Sequence, residues 1–199
     1  VDHKKRIKAI VLGRYSCGKT SFIYYLKYKI FGQFTMTYGI IPSFLDLDIF
    51  SLYITDTCGN ELYIHTLVPF MRTLNLFIIM YDITNLESFN SIDIYYSLIV
   101  EHVASQKFNI LIFGNKEDLN DCRAVSVDKA LEKAKSLNAG YVEISCKTGF
   151  GIDNAIDSIK RSYIDDSDDN NGLLVSPLSD REKKCNCWNY FKYNFLKSL

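Results

Sequence analysis

The chain lacks the features that would commit it to most specialised classes. Its 199 residues carry 23 basic and 23 acidic side chains, a formal net charge of zero, so no global field draws it to nucleic acid or to a membrane. Any membrane contact has to be local. No apolar run approaches the ~18 to 20 residues that a bilayer-spanning helix needs. The opening Val1-Asp2-His3-Lys4-Lys5-Arg6 carries no apolar secretory region. Six cysteines (Cys17, Cys58, Cys122, Cys146, Cys185, Cys187) are scattered without zinc-ligand spacing, and His3, His65 and His102 do not stand near a second pair. A zinc module is thereby excluded, and the expectation is a reduced, cytosolic protein with free thiols. Internal repeats are absent too. The length suits one sizeable core plus a tail.

What the chain does have is a phosphate loop. Gly13-Arg14-Tyr15-Ser16-Cys17-Gly18-Lys19-Thr20 follows the apolar run Ile7 to Leu12 and fits GxxxxGK[ST], the turn that joins a strand to a helix. Its glycines let successive N–H groups converge on one anion. Lys19 adds a charge for the terminal phosphates, Thr20 offers a hydroxyl to Mg²⁺, and the following helix presents its positive end. This much says nucleotide without saying which.

Ile7 to Leu12, Leu76 to Tyr81 and Ile110 to Phe113 read as buried parallel strands. Helices are expected over Lys19 to about Lys29, Asn60 to Arg72, Ser88 to Ser105, Ser126 to Leu137 and Gly151 to Ile164. The alternation predicts an α/β sheet covered on both faces, with ligands at the carboxyl ends of its strands. Ser43 to Asp48 and Phe50 to Asp56 predict a short antiparallel hairpin at one edge. After residue 164 the composition turns acidic and polar, so the chain divides into a domain over 1–164, a disordered linker over 165–184 and a cysteine and aromatic tail over 185–199.

Asn115-Lys116-Glu117-Asp118 lies just past a strand, on the ligand side of the sheet. A carboxylate at Asp118 can accept from both N1–H and the 2-amino group of guanine. Adenine would leave it unpaired, at a cost of about 1 to 3 kcal/mol or more. In Asp56-Thr57-Cys58-Gly59-Asn60-Glu61, Asp56 can hold Mg²⁺ through water, and the N–H of Gly59 can approach a γ-phosphate because no Cβ obstructs it. Thr37 can supply the metal with a second hydroxyl.

These segments, together with Glu143-Ile144-Ser145-Cys146-Lys147, occur in the order found in Ras-superfamily small GTPases, and the chain resembles the Rab family most. Tyr81-Asp82-Ile83-Thr84-Asn85-Leu86-Glu87-Ser88-Phe89 is similar to the Rab segment after its fourth strand. The resemblance covers residues 5 to about 164. It implies a P-loop G domain with a six-stranded, mostly parallel sheet, one antiparallel edge strand and about five helices on both faces. It also implies GTP or GDP with Mg²⁺, held by Gly13, Tyr15, Ser16, Cys17, Gly18, Lys19, Thr20, Ser21, Thr37, Gly59, Asn115 and Asp118, with the metal on Thr20, Thr37 and Asp56. By the same resemblance Phe31 packs on the base edge, Lys116 and Lys147 flank the guanine, and the N–H groups of Ser145 and Cys146 hold its carbonyl oxygen. The activity implied is GTP hydrolysis, with Lys19, Gly59 and residue 60 at the reacting phosphate. The implied partners are an exchange factor, a GTPase-activating protein and effectors of vesicle traffic. Expected besides are a monomer, no nucleic acid, and a place on the cytosolic face of an endomembrane.

Four departures qualify this. Asn60 stands where most relatives have the glutamine that orients the attacking water, and it is shorter by ~1.5 Å. Tyr15 replaces a small residue beside the γ-phosphate, so slow hydrolysis is expected, or a GTP-bound scaffold that does not turn over. The hairpin between Thr37 and Asp56 is short and carries Pro42 in the region on which relatives build effector surfaces. Finally, Cys185 and Cys187 precede twelve more residues, among them Trp188, Phe191, Phe195 and Leu199, which share a face on a helix. That segment reads either as an interfacial anchor beside acylatable cysteines or as a piece that packs on the domain.

Overall fold

A computed structural model describes residues 4–162, save 33, 48, 49 and 104–106; the linker and the tail lie outside the described residues. Six strands form one sheet: β1 (Lys5–Leu12), β2 (Ile40–Asp46), β3 (Phe50–Thr57), β4 (Leu76–Asp82), β5 (Asn109–Asn115) and β6 (Gly140–Glu143). Their order is β2-β3-β1-β4-β5-β6, and β2 alone runs antiparallel to its neighbour, as expected. Leu47 and Phe50 exchange backbone hydrogen bonds at 3.0 and 3.1 Å and close the hairpin.

The central strands are apolar on both sides because both sides are covered. Along β1, Ala9 and Val11 join one core, under α1 (Lys19–Tyr28) and α6 (Ile152–Arg161). Ile10 and Leu12 join the other, under α4 (Ile92–Val103) and α5 (Val127–Ser136). The ring of Phe22 meets that of Phe113 edge-on, with centroids 5.5 Å apart, and pins α1 to β5 directly beneath the phosphate loop. Truncating either ring would cost about 3 to 5 kcal/mol.

Boundaries moved where local chemistry overrode the pattern. β2 begins at Ile40, not Ser43, and Pro42 lies within it opposite Thr55. An edge strand leaves half its donors unpaired in any case, so the missing N–H is tolerated. The helix expected from Asn60 to Arg72 is instead a 3-10 helix (Glu61–Leu67) followed by a four-residue α2 (Val68–Met71). Pro69 explains this: inside one long helix its ring would clash with the carbonyl four residues back, whereas a first turn accepts it.

The helix expected to begin at Ser88 begins at Leu86, because the side chain of Asn85 caps it by accepting from Ser88 N–H at 3.0 Å. It then breaks into α3 (Leu86–Asn90) and α4 at Ser91, whose hydroxyl takes the Ser88 carbonyl at 2.7 Å. Among the described residues no helix is long and apolar enough to cross a membrane.

Candidate functional site

The loops that leave β1, β3, β5 and β6 meet at the carboxyl edge of the sheet around a cleft of about 680 Å³. Tyr15, Ser16, Gly18, Lys19, Thr20 and Ser21 line its middle. Ser16 (φ 62°) and Gly18 (φ 98°) both adopt left-handed backbone, which curls the loop into an anion-binding concavity. At Gly18 a side chain is excluded twice, by φ and because a Cβ would lie 2.1 Å from Asn115 Nδ2. Lys19 is buried, and its ammonium donates to the carbonyls of Gly13 and Arg14, both at 2.9 Å.

At one end of the cleft three oxygen side chains converge. Thr20 Oγ1 donates to Asp56 Oδ2 at 2.6 Å, Thr37 Oγ1 reaches the same oxygen at 3.3 Å, and the two hydroxyls are 2.8 Å apart. The other carboxylate oxygen of Asp56 accepts from Thr57 N–H at 3.0 Å, which fixes its rotamer. Two hydroxyls and one carboxylate are hard donors of the kind that Mg²⁺ takes alongside phosphate oxygens. The sequence placed these residues 17 and 19 positions apart, and the fold brings them together.

Gly59 sits on the phosphate loop itself. Its carbonyl accepts from Tyr15 N–H at 3.0 Å, and a Cβ there would meet Tyr15 N at 2.1 Å. The Tyr15 ring turns outward, 56% exposed, beneath the guanidinium of Arg14, whose Cζ lies 5.4 Å from the ring centre. Arg14 in turn pairs with Glu87. Asn60 adjoins this contact but is not among the residues lining the cleft.

At the other end, Asp118 accepts from Ser145 Oγ at 2.5 Å and lies 3.8 Å from Lys147 Nζ. Lys116, in left-handed backbone, extends to Asp82 at 2.7 Å. Asn115 joins the two ends: its Nδ2 donates to the Cys17 carbonyl at 2.8 Å and its Oδ1 accepts from Cys146 N–H at 3.2 Å. Phe31 and Phe34 form part of the wall.

The amides of Ser145 and Cys146, both expected to hold the carbonyl oxygen of guanine, are engaged within the protein instead: Cys146 N–H is taken by Asn115 Oδ1. The Ser145 N–H is given to the Phe150 carbonyl at 2.9 Å, so Ser145 faces the cleft loops through its hydroxyl and not through its amide. Burial pushes the Cys17 thiol up and the Cys146 thiol up to about 12, so neither is poised as a nucleophile.

Phe34, Thr35, Met36, Thr57 and Leu119 line the cleft beyond the expected residues, and Asp82 backs it through Lys116. Asp82 stood within the quoted Rab-like segment, and its place at the end of a buried strand was the available signal. Phe34 and Leu119 carry no polar chemistry and were visible only as neighbours of Phe31 and Asp118.

Comparison with known proteins agrees with this geometry. A model of the Ras family matches residues 8–165. Ras-like protein 1 of Saccharomyces cerevisiae is 33% identical over 157 residues, covering 71% of this chain and 51% of the yeast protein. The chain thus spans about half the length of that curated relative. The family match takes in most of the chain and all of the cleft, and the chain belongs to the Ras family of small GTPases.

Proposed function

We propose that the chain is a guanine-nucleotide switch of Rab type whose GTP hydrolysis is slow. The observation that carries this reading is the meeting, on one cleft, of the Thr20, Thr37 and Asp56 oxygens with the Asp118 carboxylate, the phosphate loop lying between them. Asp118 reads the guanine edge, Lys116 and Lys147 flank the ring and Phe31 packs on its edge. Gly13 and the run from Tyr15 to Ser21 take the phosphates. Lys19 exchanges its two carbonyl partners for phosphate oxygens as the nucleotide enters. Thr20, Thr37 and Asp56 would hold Mg²⁺, which would offset the charge of the terminal phosphates when bound. A triphosphate orders the Thr37 and Gly59 segments, and hydrolysis releases them.

Slow turnover follows from two side chains. Asn60 is a methylene short of the glutamine that places water, and a misplacement of that order can cost around a hundredfold. Tyr15 lines the cleft at the phosphate loop, and its large ring, turned outward in this structure, would crowd the reacting phosphate on swinging inward. The Rab assignment rests on the likeness of Tyr81-Asp82-Ile83-Thr84 to the Rab segment after the fourth strand; within it Asp82 holds Lys116 (2.7 Å) and the Thr84 hydroxyl (2.7 Å). On this reading the output is effector recruitment in vesicle traffic on the cytosolic face of an endomembrane, with residues 185–199 as the anchor.

Single-turnover phosphate release at saturating Mg²⁺ tests the core of the proposal. Slow but measurable release is expected. Tight GTP binding with no release would favour a GTP-loaded scaffold, which Tyr15 and Asn60 also fit. Equal affinity for ATP and GTP would sink both. Mass analysis of the full chain for lipid on Cys185 and Cys187 tests the anchor.

A further inference from the structure

Behind the base end of the cleft four side chains form one hydrogen-bonded chain. Arg123 grips Glu143 with both terminal guanidinium nitrogens, Nη1 to Oε1 at 2.7 Å and Nη2 to Oε2 at 2.8 Å. Tyr141 donates its hydroxyl to Glu143 Oε1 at 2.7 Å. The Tyr81 hydroxyl lies 2.9 Å from that of Tyr141. Since the Tyr141 proton is committed to the carboxylate, Tyr81 is the donor to Tyr141, and every proton in the chain points toward Glu143. Arg123 and Glu143 are 17% and 14% exposed, so these charge-assisted bonds work away from bulk water.

The members come from three places that matter to the cleft. Tyr81 is on β4, fully buried, and its hydroxyl closes on Gly114, where a Cβ would lie 2.8 Å from it, one residue before Asn115. Arg123 follows the 3-10 helix (Glu117–Cys122) that opens with Glu117 and Asp118. Its Nε also holds Asn120 at 2.7 Å, and the next two residues donate to the Ile83 carbonyl at 2.9 and 3.1 Å. Glu143 ends β6, two residues before Ser145 puts its hydroxyl on Asp118.

We propose that the Tyr81–Tyr141–Glu143–Arg123 chain is a strut that sets the position of Asp118 relative to the Ser145–Lys147 loop, and thereby determines how long and how selectively a guanine base is held. All four are positioning residues, since none lines the cleft. The inference rests on the reading of Asp118 as the guanine acceptor. Removing the Tyr141 hydroxyl strips Glu143 of one of its donors and leaves Tyr81 without its acceptor inside the core. Replacing Arg123 by lysine keeps the charge but loses the two-pronged grip.

The test uses the full chain loaded with GDP, and with IDP, whose base lacks the 2-amino group and so offers Asp118 one bond in place of two. Tyr141→Phe and Arg123→Lys are each expected to speed GDP release by roughly tenfold, the loss of one charge-assisted bond's worth of positioning. The wild-type preference for GDP over IDP should narrow in both variants. Dissociation is read only from folded, loaded protein, so a fall in melting temperature cannot mimic either result. Faster release of GDP and IDP by the same factor, with the preference intact, would mean that the chain is structural support and would overturn the proposal. Unchanged release rates would overturn it as well. A wild type that binds ADP as well as GDP would instead remove the guanine reading on which the strut depends.

Discussion

Thr20 Oγ1 and Asp56 Oδ2 lie 2.6 Å apart, tying the first turn of α1 to the end of β3 across the floor of the cleft. On the proposed reading Thr20 and Asp56 would both turn to the metal, which would offset the charge of a triphosphate's terminal groups. Thr20→Asn is therefore expected to weaken Mg·GTP by on the order of tenfold or more, and GDP by less. Titrations with and without EDTA read the difference. Identical metal dependence in variant and wild type would remove Thr20 from the ligand set.

Asp118→Asn should exchange guanine for xanthine. The Ser145 hydroxyl, now 2.5 Å from Oδ1, can keep an amide oxygen as its acceptor, which leaves the new NH₂ facing the base. Guanine then loses an acceptor, worth about 1 to 3 kcal/mol or more, while the 2-carbonyl of xanthine gains a donor. Competition between GDP and XDP on the variant measures this, and an unchanged GDP affinity would refute the assignment.

Asn60 and Tyr15 should limit one another. The Tyr15 N–H is bonded to the Gly59 carbonyl at 3.0 Å, so a ring that would crowd the reacting phosphate on swinging inward is tied to the segment that carries Asn60. Asn60→Gln alone should raise single-turnover hydrolysis only slightly, and Asn60→Gln with Tyr15→Gly distinctly more. A double-mutant cycle reads the coupling. Strictly additive gains, or wild-type turnover at an ordinary Rab rate, would dispose of the explanation.

The Glu143 carboxyl gives a pH signature. Burial opposes its ionisation, but the hydrogen bonds from Arg123 and Tyr141 outweigh burial and hold it below the ordinary 4.5. A depressed carboxyl contributes stability that is complete above the unfolded value and is lost as pH falls through the folded one. The stability gap between wild type and Glu143→Gln should therefore be widest near neutrality and shrink progressively below pH 4.5. Urea unfolding at a series of pH values checks it, and a gap that stays constant down to the acid limit would contradict the sign.

Much of this molecule was legible because its chemistry is written in contiguous segments. The phosphate loop, Asn115 to Asp118 and Asp56 to Gly59 each follow an apolar strand, and a strand's end fixes where its next residues stand. β6 was not identified from its own residues: Gly140–Glu143 is four residues long and only half-buried, and the sixth strand entered through resemblance alone. Pro69 is the signal in the sequence against a single helix over residues 60–72. The Tyr81–Tyr141 contact spans 60 positions, and no local rule joins two tyrosines at that distance in sequence. The same holds for the Ser145 amide, whose engagement with Phe150 depends on the turn between them.

Asn115, with one end of its amide on the Cys17 carbonyl and the other on the Cys146 N–H, ties the two loops into a single bracket, which on the proposed reading joins the phosphate half and the base half of the cleft. Once one end of a nucleotide has docked, the other is presented to its own half at a fixed separation and a high effective concentration. Guanosine and pyrophosphate offered separately each meet half of the bracket and forgo that advantage, so the covalent bond between them supplies affinity that no contact in either half contains.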